Sequence, residues 1–137
     1  MDGAEPLSPL RVSALWYRLA VLTVLGVMLS CRDARSGDIP GMYTVKTEWG
    51  DSTLVLRPDH SMKQEVHKRN GSSRQISGSW SFADQIVTLK PCLEVRSDVE
   101  GELADGCAKG VTVSALGKIE ITVDSQYGLA YQRHEEH

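Results

Sequence analysis

The chain has 137 residues, 41% of them hydrophobic and 24% charged, which is the size and make-up of one ordinary globular domain. Its formal charge of -3 is spread without a long block of either sign. The clustered Lys and Arg that a phosphate backbone demands are missing, so nucleic acid is excluded as a partner.

Residues 1–30 have the three parts of an export signal: a cationic stretch with Arg11 and Arg18, an apolar run over 19–29, and the small residue Ser30 just before Cys31. The run is well short of the roughly 20 residues of a membrane-spanning helix, and Arg18 blocks its extension backwards. A cleaved signal follows. The tetrad Met28-Leu29-Ser30-Cys31 resembles the bacterial lipobox, with Met28 where Leu is usual. That resemblance implies a diacylglyceryl thioether on Cys31, cleavage before it, and acylation, often with palmitate, of the new amine. Several acyl chains anchor stably where one binds only marginally. The implied address is the bacterial envelope. In a Gram-negative cell, Arg32 rather than Asp after the cysteine resembles the rule for the outer membrane, facing the periplasm.

Removing Cys31 to the lipid leaves Cys92 and Cys107, an even pair in an oxidising compartment. A bridge between them closes the polar stretch 93–106, and the alternative is two separate buried thiols. Residues 31–40 read as a polar tether, with Gly37 and Pro40 as breakers.

From residue 41 the pattern is that of strands. Ile119, Ile121 and Val123 alternate with polar residues, as do Met62 and Val66, and Ile76, Gly78, Trp80 and Phe82 alternate with serines. Strands are expected over 41–48, 52–57, 61–68, 74–82, 85–90, 111–116, 118–124 and 127–133. Turn chemistry separates them at Trp49-Gly50-Asp51-Ser52, Arg57-Pro58-Asp59-His60, Asn70-Gly71 and Ala83-Asp84. The fold class is therefore all-β: an antiparallel meander of about eight strands over 41–137, closed as a small barrel or strongly curled.

The succession Gly41-x-Tyr43, Thr53-Leu54-x-Leu56-x-Pro58-Asp59, Ser61-Met62, Gly78-x-Trp80 and Ile86-x-x-Leu89 resembles small exported bacterial proteins of unknown function with a lipocalin-like (calycin-like) β-meander. His60 stands where glycine is usual after Pro-Asp, and Met62 where an aromatic is usual. The resemblance implies a fold and no activity.

A search for chemistry returns solvated groups. His134-Glu135-Glu136-His137 lacks the H-E-x-x-H spacing, and His60 and His67 flank a strand with no third ligand. Asp98, Glu100, Glu102 and Asp105 resemble the start of a calcium loop, but Leu103 and Lys109 occupy its sixth and twelfth places. The serines around Ser79 lack a nucleophile elbow. No cofactor or metal is implied. Trp80, Phe82 and Tyr43 are candidates for a core or ligand-contacting face. The expected function is non-enzymatic: a membrane-tethered module meeting a small apolar ligand or an envelope protein. The alternative is a small envelope enzyme or enzyme inhibitor with an unassigned site.

Overall fold

The computed structural model describes residues 32–95, 102–114, 116–124 and 128–135. A 3-10 turn at Ser36–Asp38 precedes the strands β1 Gly41–Lys46, β2 Gly50–Leu56, β3 Ser61–Lys68, β4 Ser73–Ala83, β5 Ile86–Lys90, β6 Cys92–Leu93, β7 Leu103–Ala104, β8 Cys107–Val113, β9 Ile119–Asp124 and β10 Leu129–Arg133. Eight of these strands close a barrel in the order β1-β10-β9-β8-β5-β4-β3-β2, and β6 pairs with β7 in a separate ribbon. All pairs are antiparallel. The all-β meander read from the period-2 pattern is thus what the chain forms.

Alternation sets the faces. Along β3, Met62, Gln64 and Val66 are buried while Ser61, Lys63 and Glu65 stay half-exposed. Register carries the same face around the wall: Tyr43 sits opposite Leu54, Leu54 opposite Gln64, Trp80 opposite Leu89, and Ile121 opposite both Val111 and Tyr131. The inward faces expected for β4 and β9 hold, with Trp80, Ile119, Ile121 and Val123 buried, Ile76 and Phe82 packed against them, and Ser77, Ser79 and Ser81 exposed. Pairing of β1 with β10, Tyr43 opposite Arg133, removes the last free edge.

The register also sorts the turns to two ends. Gly41 pairs with Leu56, Leu56 with Met62, Ala83 with Ile86, and Val113 with Ile119. The turns at 57–60, 84–85 and 114–118 therefore share one end with Gly41. The turns at 47–49 and 69–72 and the β6–β7 ribbon lie at the other, the Asn70 end. At the 84–85 turn Asp84 (φ 52°) and Gln85 (φ 59°) are both left-handed, the pair of conformations whose twist matches a two-residue hairpin.

Three expectations change. Residues 34–40, read as tether, belong to the barrel: Ala34 and Ile39 are buried, and the Tyr43 hydroxyl donates to the Ile39 carbonyl at 2.6 Å. The Gln85 side chain grips the Ala34 main chain twice, accepting from its N–H and donating to its carbonyl, both at 3.0 Å. Arg133 donates to the carbonyls of Asp38 and Pro40 at 2.8 Å each. Second, the polar stretch 93–106 is not wholly irregular, because Leu93 of β6 and both residues of β7 lie within it; two-residue strands are too short to show a period. Third, the strand expected from 111 starts at Cys107, where Gly106 and Gly110 had obscured it.

Candidate functional site

The barrel interior is the first place to seek a site, since a ligand-carrying barrel keeps an open lumen. Here the inward side chains touch one another. Tyr43, Leu54, Val66, Val87 and Ile121 are 0% accessible, and Met62, Leu89 and Tyr131 are 1%. A water-sized void would leave its walls accessible, so these side chains fill the space between the strands.

The interior carries one polar network. In an antiparallel ribbon, successive residues turn their N–H and C=O alternately toward and away from the partner strand. In the β6–β7 ribbon the Glu94 N–H donates to Glu102, so the Leu93 groups point away, into the barrel. Gln64 meets both: its Oε1 accepts from the Leu93 N–H at 2.7 Å and its Nε2 donates to the Leu93 carbonyl at 2.9 Å. The same Nε2 donates to the Tyr131 hydroxyl at 3.1 Å, which shares a 2.7 Å hydrogen bond with Ser52. Burial pushes the Tyr131 hydroxyl above its ordinary pKa, only partly countered by Ser52 and Gln64, so it stays neutral at physiological pH. The network fastens the ribbon over the Asn70 end. Gln64 was visible in the sequence as a polar residue on an apolar face, between Met62 and Val66.

Of the sequence candidates, Tyr43 and Trp80 are buried in the core and Phe82 packs at its margin. The Trp80 indole N–H donates to the Arg57 carbonyl at 2.8 Å, and the His60 ring packs against the indole with centres 4.8 Å apart and planes tilted by 32°. His60 takes φ 65°, the left-handed backbone that glycine adopts freely and a non-glycine residue uncommonly. Gly78 is required by close approach: a Cβ there would collide with the Lys90 carbonyl oxygen and stand 2.8 Å from Pro91 Cδ.

Cys92 and Cys107 lie at disulfide distance, with Cα atoms 6.0 Å apart. With Glu94 they are a trio whose ligand atoms fall within 4.8 Å, but joined sulfurs leave a metal only the carboxylate. Cys31, Asp98 and Glu100 fall outside the described residues; Glu102 and Asp105 are exposed. Asp59 at the Gly41 end is held below the ordinary carboxylate range by the Ser61 hydroxyl and amide.

On the outer wall near the Asn70 end, a cavity of about 380 Å³ is lined by Lys46, Gly50, Asp51, His67, Lys68 and Arg69. Its rim sets Lys46, Lys68 and Arg69 against Asp51, with His67 beside them. Arg69 is fixed by donation to the Thr47 carbonyl at 3.1 Å, and His67 lies 3.2 Å from Glu65. Such a rim attracts an anionic group from solution, with a strength that salt screens. No family model, curated protein or solved structure matches the chain.

Proposed function

We propose that this chain is a lipid-anchored bacterial envelope protein whose barrel acts without catalysis, recognising another envelope protein through its outer surface. The lipobox-like tetrad ending in Cys31 supports the anchor, and Arg32 supports outer-membrane placement in a Gram-negative cell. The meander of small exported proteins that the motifs resemble supports the address and is silent on activity. The observation that carries the reading is the filled interior: among the described residues, the inward side chains of Tyr43, Leu54, Val66, Val87 and Ile121 are inaccessible, which argues against a lumen for an apolar ligand and turns recognition to the surface. The cationic rim at Lys46, Lys68 and Arg69 is the recognition surface, and it suits an acidic patch on the partner.

Two measurements test this reading. A fluorescent fatty acid titrated into the purified protein should show no saturable one-to-one uptake; stoichiometric uptake with energy transfer from Trp80 would move the function to ligand carriage. A photo-crosslinker at Asp51 should join one defined envelope protein in living cells, with the adduct lost on Lys46→Glu. Adducts to many proteins, indifferent to that charge, would exclude the rim as the recognition surface.

A further inference from the structure

We propose that the Gly41 end of the barrel rests on the phospholipid headgroup layer, with Leu116 at the β8–β9 tip entering it; this rests on the reading of Cys31 as the acylated residue. Three independent observations point to that end. The first is the length of free chain. Ala34 is gripped by Gln85 at the Gly41 end, so only Arg32 and Asp33 separate Cys31 from a fixed point on the barrel. Three Cα-to-Cα steps reach at most about 11 Å. A headgroup layer is itself roughly 5–8 Å thick. An acylated cysteine at the base of that layer leaves the barrel no more than a few ångströms of clearance.

The second observation is where apolar surface remains. The exposed large hydrophobics among the described residues are Met42, Ile86, Leu103 and Leu116. Met42, the second residue of β1, and Ile86, the first of β5, lie at the Gly41 end, and Leu116 lies in the β8–β9 turn at the same end. Only Leu103 lies at the opposite end. Leu116, at 86% exposure, contributes nothing to the core. A bare leucine on a hairpin tip suits an interface that is apolar just below its surface.

The third is reach. The Val111 N–H donates to the Gln85 carbonyl, which ends the neighbouring 84–85 turn, while β8 and β9 continue to the Val113–Ile119 pair. Two further residues of strand, Thr112 and Val113, carry the tip about 7 Å along the strand direction past that turn. The charges nearby are mixed: Arg35, Arg57 and Lys118 against Asp59, Asp84 and Glu135, with Lys118 and Glu135 3.5 Å apart. Anchor length and the apolar tip, rather than charge, set the orientation, so a zwitterionic bilayer is sufficient.

The test uses the full mature protein purified from membranes and placed on phosphatidylcholine vesicles. With Cys31 acylated and Cys92 joined to Cys107, Leu116→Cys supplies a single reactive thiol for an environment-sensitive fluorophore; Ser73→Cys places the same label at the Asn70 end. Both positions are exposed, so neither substitution disturbs packing. Expected is a several-fold rise in emission at position 116 on adding vesicles, unaltered by salt, with no change at position 73. A long Gly-Ser insertion between Asp33 and Ala34 should reduce the rise. Vesicle flotation and the mass of the amino-terminal peptide are read on the same sample. A chain that floats and carries its acyl groups while position 116 stays in water overturns the orientation alone. A chain without acyl groups overturns the anchor and the orientation together.

Discussion

Replacing Gln64 with alanine tests whether one side chain fastens the β6–β7 ribbon to the barrel. Gln64 is 2% exposed, and its amide is the partner of both main-chain groups of Leu93, itself 2% exposed. Truncation leaves a buried N–H and a buried carbonyl without partners, at about 1–3 kcal/mol each. Lost packing around the one missing methylene adds on the order of 1 kcal/mol. Relaxation of the short ribbon recovers part of this, so the expected loss is about 3–5 kcal/mol, a large share of what a domain of this size possesses. Urea unfolding followed by tryptophan emission measures the total. Amide exchange measures the site, because the Leu93 N–H should lose protection while the Ile121 N–H, in the β8–β9–β10 wall, exchanges only at the reduced global limit. A loss below about 1 kcal/mol, or an unchanged Leu93 exchange rate, would show that the ribbon is held by something else.

Gly78→Ala drives a Cβ into the main chain at Lys90 and Pro91, which cannot rotate away, and should cost on the order of 1–3 kcal/mol by thermal melting; an unchanged midpoint would mean that β4 and the 90–91 segment move apart freely. Burial raises the Tyr43 and Tyr131 pKa values above 10, so the folded state favours the protonated phenols: their stabilising contribution is complete below about pH 10 and is lost as pH rises beyond it. Tyr131→Phe should lower stability at neutral pH yet flatten that alkaline decline, and an equally steep decline in the variant would refute the assignment. Reduction of the Cys92–Cys107 bridge, which spans 15 residues, should lower stability by about 3 kcal/mol, read as a fall in urea midpoint with dithiothreitol; equal midpoints would show that the bridge closes nothing the fold does not already hold.

The parts of the fold visible in the sequence are those where one physical signal acts over several residues. Ile119, Ile121 and Val123 declare a half-buried strand because a one-residue slip would turn all three to water, and Asn70-Gly71 declares a turn because Gly71 takes φ 85°. What stayed hidden depends on pairs distant in the chain. Gln85 and Ala34 lie 51 residues apart, so nothing local distinguishes a gripped segment from a free tether. The turn at Asp84 was legible, but the left-handed backbone at Gln85 was not, because glutamine carries no signal for it. The β6–β7 ribbon is invisible to periodicity, and its hold on Gln64 spans 29 residues. Tyr43 and Trp80 were open to either a core or a ligand face, and only their packing decides for the core. The rim of Lys46, Asp51, His67, Lys68 and Arg69 is assembled by β1–β2 and β2–β3 register, which places Lys46 opposite Asp51 and Asp51 opposite His67.

Mass spectrometry of the protein extracted from its native membrane, recorded intact under both denaturing and native conditions, bears most directly on a lipid-anchored barrel with a filled interior. Under denaturing conditions the expected species begins at Cys31, carries a diacylglyceryl group and an amide-linked acyl chain, and gains two hydrogens on reduction. Under native conditions the same mass should persist with no further apolar molecule retained. A species that keeps residues 1–30, one that lacks acyl groups, or one that releases a stoichiometric lipid on denaturation would contradict it.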